Sequence, residues 1–224
     1  MSFDFSYTDI NHPLTIEFVE KFRDITSPLA NDCYGRRNIM DAGIKPLRHG
    51  MRILGRAVTV QLPPDDNLLL HVALHSAEPG DIIVANTSND RHSGVWGELM
   101  TRAAISRKIG GLVLDGMCRD SDWISNSGFP VFARGTCARG SRKVGPGHMN
   151  IPVACGNVVV NHGDIIIGDD DGIMVVPACD AEDLLPICLN KITSEKTRIE
   201  NINAGSPKPK WLPGAIEKWQ ASSA

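Results

Sequence analysis

Several features are scarce or missing in this chain, and each absence removes a class of function. Aromatic residues make up 5% of its 224 residues, no run of basic side chains occurs, and the formal net charge is -3. That balance lacks the basic stripe of a nucleic-acid surface, so no nucleic-acid partner is expected. No apolar stretch reaches the roughly 20 residues a membrane-spanning helix needs, so no membrane partner is expected either. The start, Met1-Ser2-Phe3-Asp4-Phe5, has neither the positive head nor the apolar core of a secretory signal, which predicts a cytoplasmic protein. The six cysteines, at 33, 118, 137, 155, 179 and 188, include no Cys-x-x-Cys pair, and a chain of this size needs no disulfide staples. Reduced thiols are expected. There is no Gly-x-Ser-x-Gly elbow for a serine nucleophile, and Gly145-Pro146-Gly147 has the spacing of neither a dinucleotide fingerprint nor a phosphate loop.

What is present is ordinary globular material, 42% hydrophobic and 22% charged, long enough for one sizeable domain. The chain is organised around Gly110 to Asp120. Leu112, Val113 and Leu114 form a short apolar run between glycines, the signature of a strand buried on both faces. A turn is expected at Asp115-Gly116, presenting Arg119 and Asp120 beyond the strand's carboxyl end, where open α/β sheets collect ligands. On these residues alone, Arg119 and Asp120 could equally pair with each other or cap the next helix.

Around this strand the pattern reads as an α/β fold. Residues 13–24 and a short stretch from Ser27-Pro28 to about Tyr34 read as helices, the second with a cap-plus-proline start. Residues 35–50 read as a connector. Strand 52–62, helix 67–77 and strand 82–85 form a βαβ-like unit. The loop 86–97 leads into a helix from Glu98, whose first turn can hold a carboxylate or phosphate on its unpaired N–H groups. A helix over 122–126, a strand over 130–134 and short β-branched runs at 151–155, 157–160, 165–167 and 173–176 follow, with Asp171-Gly172 as a hairpin signal. A long helix runs from 178 to 203. The tail, 204–224, is expected to drape over the surface or reach a neighbouring subunit. The segments divide as an N-terminal extension over 1–24, the main domain over 25–203 and this tail.

Other groupings are ambiguous. His71 and His75 have helical metal-ligand spacing, but no third ligand is evident. The acidic Gly168 to Gly172 lacks the alternating oxygen ligands of a calcium loop and reads as a solvated turn. Arg139, Arg142 and Lys143 suit either an anionic ligand or a solvated patch. Gly80-Asp-Ile-Ile-Val and Gly163-Asp-Ile-Ile-Ile resemble each other, too briefly for a repeat.

The ordered set Trp96-Gly-Glu-Leu-Met, Leu114-Asp-Gly-Met-Cys-Arg-Asp120, Gly128-Phe-Pro-Val-Phe-Ala-Arg-Gly135, Pro152-Val, His162-Gly-Asp and Asp169-Asp-Asp-Gly-Ile-Met-Val-Val-Pro177 resembles one family across residues 25 to 200. It is that of the class II 4-hydroxy-4-methyl-2-oxoglutarate/4-carboxy-4-hydroxy-2-oxoadipate aldolases, which also contains the regulator of ribonuclease E activity A. The resemblance implies an α/β swivelling-domain fold, a β/β/α sandwich of the RraA-like type with N- and C-terminal helices. It implies homotrimers or dimers of trimers with sites between subunits. It further implies Mg²⁺ or Mn²⁺ and release of pyruvate from a small 4-hydroxy-2-oxo di- or tricarboxylic acid, with oxaloacetate decarboxylation. By motif, Asp120 would ligate the metal and Arg119 would contact the keto oxygen. The amides of Gly97, Glu98, Leu99 and Met100 would hold the pyruvyl carboxylate. Glu98, with Glu195 from an adjacent subunit, would hold metal-bound water.

General chemistry agrees with that assignment. A hard divalent ion suits one direct carboxylate with outer-shell acids. A developing enolate is stabilised by a Lewis acid and by an arginine that stays charged, and the base would be a metal-bound water. Arg91, His92 and Arg142 are candidates for the substrate's distal carboxylate. The tail from Ser206 to Trp219 departs from the family pattern. The alternative is a non-catalytic interaction protein of the ribonuclease-regulator type. Glu98, Asp120 and Glu195 together favour the enzyme, because a pure binding module has no use for acids gathered round a metal.

Overall fold

The computed structural model describes residues 12–222. In chain order the elements are α1 (Ile16–Val19, continued by a 3-10 turn Glu20–Phe22), α2 (Ser27–Cys33), β1 (Lys45–Pro46), β2 (Ile53–Gln61), α3 (Leu68–Ser76) and β3 (Ile82–Asn86). Then come β4 (Gly94–Trp96), α4 (Glu98–Ser106), β5 (Gly111–Cys118), α5 (Ser121–Asn126) and β6 (Val131–Thr136). Short strands follow: β7 (His148–Met149), β8 (Val153–Cys155), β9 (Val158–Val160), β10 (Ile165–Gly168) and β11 (Ile173–Val176). The chain ends in α6 (Ala181–Asn203) and α7 (Leu212–Ser222).

β6, β5, β3 and β2 lie side by side and parallel, and β10 and β11 continue the sheet antiparallel beyond β2. β8 and β9 form a separate hairpin. Strand periodicity sorts the side chains into layers. Val58, Val60, Ile83, Ala85, Leu112 and Leu114 face the side covered by α3, α4 and α5. Ala57, Ile82, Val84, Val113 and Phe132 face a second core, which Ile166, Ile173 and Val175 also enter. Ile165, Ile167, Met174 and Val176 point the other way, onto α2 and α6. The sheet curves around the second core: a Cβ on Gly168 of β10 would lie 3.3 Å from the tip of Phe132, four strands away. The molecule is a single domain, a swivelling β/β/α sandwich built on this half-barrel with helices at both ends.

Four expectations are corrected. The chain does not turn at Asp115-Gly116: β5 runs on to Cys118, and Gly116 is there because Thr87 leaves no room for a side chain. Pairing with β6 slips between Leu114 and Met117, so the local irregularity is a bulge. The N-terminal helix over 13–24 begins only at Ile16, because Pro13 lies against the turn at Gly163 and Thr15 caps the helix. The connector over 35–50 contains β1, paired with β6. Within the tail, Leu212–Ser222 form the exposed helix α7, which the sequence did not lead one to expect, and Trp211 just before it is 69% exposed. All six cysteines are free thiols. No helix among the described residues is long and apolar enough to cross a membrane.

Phe132 is fully buried where the two ends of the curved sheet meet. Phe132→Ala is expected to lower stability by about 3–5 kcal/mol, measured by urea unfolding, because the surrounding strands cannot collapse onto the void.

Candidate active site

β4 is three residues long, yet it positions the site. It pairs in parallel with the end of β5, Gly94 opposite Met117 and Trp96 opposite Cys118, and the Arg119 N–H donates to the Trp96 carbonyl at 2.8 Å. This ladder sets Gly97 directly beside Arg119 and Asp120. Gly94 must be glycine because a Cβ would lie 2.5 Å from the Cys137 carbonyl. Trp96 is fully buried, and its indole N–H donates to Thr101 Oγ1 at 2.7 Å. The Thr101 N–H and hydroxyl in turn bond the Gly97 carbonyl, each at 3.0 Å, which fixes the start of α4.

Asp120 holds a left-handed backbone (φ 56°, ψ 36°), uncommon for a residue other than glycine and tolerated best by Asp and Asn. Its side chain does not cap α5, which it precedes. Instead, Oδ2 accepts the Glu98 N–H of α4 at 3.0 Å and lies 3.5 Å from Arg119 Nε. Both contacts fall on Oδ2, and Oδ1 has none among the described residues. Of the alternatives left open by the sequence, pairing with Arg119 is present, capping of α5 is not, and the carboxylate also tethers α4 to the strand end. Leu99 and Met100, next in the first turn of α4, have no intrahelical acceptor for their N–H groups.

These groups border a cleft of about 190 Å³. Its lining brings together Gly97, Leu99, Met100, Arg119 and Asp120 with Asn67, which precedes α3, His71 of α3, and Gly140, Ser141 and Lys143 of the loop before β7. Glu98 stands at the helix start, bonded to Arg102 at 2.8 Å, whose guanidinium stacks 4.1 Å above Trp123. Asn67 is held by its Nδ2, which donates to the Val95 carbonyl at 2.8 Å, while its buried Oδ1 has no partner. Burial, then Lys143 and His75, hold the His71 imidazole below its ordinary pKa, so the neutral ring prevails at pH 7.

The distal-carboxylate candidates are placed elsewhere. Arg91 pairs with Asp115 at 3.1 Å, within a network in which Arg134 also binds Asp115 and Asp41. Burial pushes the Asp115 carboxyl up, but Arg134, the Gly156 N–H and Arg91 outweigh it and keep it ionised. Arg142 and Arg139 both bond Asp65 Oδ2 at 3.1 Å. The exposed His92 is bonded through its backbone, its N–H to Asp90 at 2.7 Å, and is not on the cleft lining. Of the basic trio, Lys143 is the cation on the lining, a distinction nothing in the spacing of 139, 142 and 143 signals. Glu195 pairs with Lys191 at 3.5 Å on the outer face of α6, outside the cleft of its own chain.

A second acidic group, His12, Glu78 and Asp81, lies close enough to hold a cation. Arg56 occupies it, bonding Asp81 at 2.9 Å and Glu78 at 2.8 Å, while His12 takes the other oxygen of Asp81 at 3.0 Å. Two carboxylates already neutralised by a guanidinium make a structural clamp rather than a metal centre.

Gly97 is extended (φ -150°), so any residue could adopt its backbone, but a Cβ would sit 2.5 Å from Asp120 Oδ2. Gly97→Ala is expected to swing the carboxylate off the Glu98 amide while costing Tm only a few degrees. A large shift of the Glu98 amide resonance with the fold retained is the result to look for.

The family description RraA-like (Aldolase/RraA) matches residues 21–175. A protein of Halalkalibacterium halodurans, provisionally named 4-hydroxy-4-methyl-2-oxoglutarate aldolase, is 34% identical over 183 residues, covering 82% of this chain and 87% of that one. A solved structure of an uncharacterised Pseudomonas syringae protein superposes with a TM-score of 0.78 at 26% identity, over 92% of this chain and 95% of the other. Streptomyces coelicolor RraAS2, described as an unusual member of the RNase ES inhibitor RraA family, gives a TM-score of 0.76 at 26% identity, over 84% and 98%. A cleft at the strand ends, a sheet of this topology and a match across most of the chain agree: the protein belongs to the RraA-like family.

Proposed function

We propose that the chain is a divalent-metal-dependent lyase that releases pyruvate from a small 4-hydroxy-2-oxo acid and decarboxylates oxaloacetate. The observation that carries this reading is the convergence of the Asp120 carboxylate, the Arg119 guanidinium and the amino end of α4 on one cleft. The aldolase name of the Halalkalibacterium relative supports it.

The donor set fits a hard cation. Asp120 offers Oδ1 while Oδ2 stays tethered to α4, and one anchoring carboxylate with water and a chelating ligand suits Mg²⁺ or Mn²⁺. When bound there, the cation supplies Lewis acidity toward the keto oxygen of a 2-oxo acid. The free N–H groups at Leu99 and Met100, with the positive end of the helix dipole, receive the carboxylate next to that keto group. Arg119 cannot lose its proton at working pH, so it is a fixed donor to the oxygen on which enolate charge grows. Lys143 faces the distal carboxylate, the role expected of Arg91, His92 or Arg142. Glu98 can turn from Arg102 toward the metal's water shell, and Glu195, exposed on α6 and paired only with its surface neighbour Lys191 among the described residues, can serve the cleft of an adjacent copy in a trimer or a dimer of trimers.

The purified protein is expected to form pyruvate from oxaloacetate with Mg²⁺ or Mn²⁺ and to stop on addition of EDTA. Asp120→Ala should retain under about 1% of the rate, and Arg119→Lys should lose roughly 10- to 100-fold, since an ammonium cannot reproduce the guanidinium fork. Activity indifferent to EDTA, or retained in Asp120→Ala, would overturn the metal mechanism, whereas no pyruvate under any of these conditions would leave the non-catalytic regulator as the better reading.

A further inference from the structure

On the aldolase reading above, we infer that His71, rather than the metal-bound water expected from the sequence, is the base that takes the C4-hydroxyl proton as the carbon–carbon bond breaks. His71 lies on the same cleft lining as Arg119 and Asp120, and its Nε2 is shut off from solvent without a hydrogen-bond partner. Asn67 stands one turn earlier on the same face of α3, and its Oδ1 is buried and unpartnered too. Buried polar atoms without a partner are costly, and a ligand hydroxyl in the cleft that both residues line supplies one.

The alternatives on the lining are committed elsewhere. Asp120 is given to the cation through Oδ1 and to the Glu98 amide and Arg119 through Oδ2, Glu98 itself is not on the lining, and the Asn67 amide oxygen is not basic. Arg119 stays protonated. His71 also borders a second, open hollow with Val72, His75 and Ser76. The charged and titratable groups around the ring are Lys143 from the loop before β7, His75 on α3, and Arg119 and Asp120 on the cleft lining. Burial and the first two favour the neutral ring, the form with a lone pair to accept a proton.

In the step itself the C3–C4 electron pair passes to C3 as the enolate, the C4 oxygen becomes a carbonyl, and its proton goes to Nε2. The imidazolium releases that proton to water, and the enolate takes one at C3 to become pyruvate. Oxaloacetate loses its C4 carboxylate as CO₂ and leaves the same enolate, with no hydroxyl proton to remove. His71 is therefore required for one reaction and not for the other.

The test compares wild type with His71→Asn and His71→Gln on a 4-hydroxy-2-oxo dicarboxylate and on oxaloacetate. The ratio of kcat for the hydroxy acid to kcat for oxaloacetate is expected to fall about 100-fold or more. In wild type, kcat/KM for the hydroxy acid should rise with pH through an ionisation below the ordinary histidine value, and that limb should be absent for oxaloacetate. Nitrogen NMR of the metal-free protein should show a neutral His71 at pH 7 with Nε2 unprotonated. Equal losses on both substrates, or a proton on Nε2 at pH 7, would overturn the assignment while leaving the aldolase reading intact. Pyruvate from neither substrate in wild type would overturn both.

Discussion

One hydrogen bond joins the two halves of the site: the Glu98 amide on Asp120 Oδ2. It crosses from the first turn of α4 to the end of β5, and it exists because β4 pairs with β5 and brings Gly97 alongside. The left-handed backbone of Asp120 aims the carboxylate back toward α4 rather than onto the helix it precedes. Such a conformation persists only where the surroundings over-determine it, and such positions gather at ligand sites. The first-turn amides, the anchor for a cation and the arginine then share a hollow of about 190 Å³.

Selection among charges is the second constraint. Arginines are plentiful near the strand ends, yet Asp65 takes Arg139 and Arg142, and Asp115 takes Arg91 and Arg134. Asp66 lies between the cleft wall and the loop: burial raises its carboxyl, but N–H bonds from Val144, Leu68 and Gly145 outweigh it and keep it charged. Those bonds hold the loop that delivers Lys143. Far from the strand ends, burial and the stacked His12 push His162 down to about 4, so that corner carries an uncharged ring beside the Arg56 clamp.

Much of this was legible beforehand, and the reasons are local. Leu112-Val113-Leu114 announced a buried strand, Ser27-Pro28 a helix start and Asp171-Gly172 a hairpin, and each of these depends on neighbours in sequence. Gly116 misled because a glycine after an aspartate signals a turn, whereas here it makes room for Thr87, 29 positions back. Pro13 misled for a similar reason, its partner being the turn at Gly163. His71 looked like half of a weak metal pair with His75, and only the placement of α3 against the cleft separates the two.

The amino-acid order by itself determined the strand and helix periods and the adjacency of Arg119 with Asp120, because these are properties of contiguous residues. Tertiary structure alone decided which cation is free to meet a ligand, that Asn67 and His71 wall the cleft, and that Asp120 tethers α4 instead of capping α5. Those outcomes depend on distances between segments tens of residues apart, and no local pattern encodes which carboxylate a long, flexible arginine will reach first.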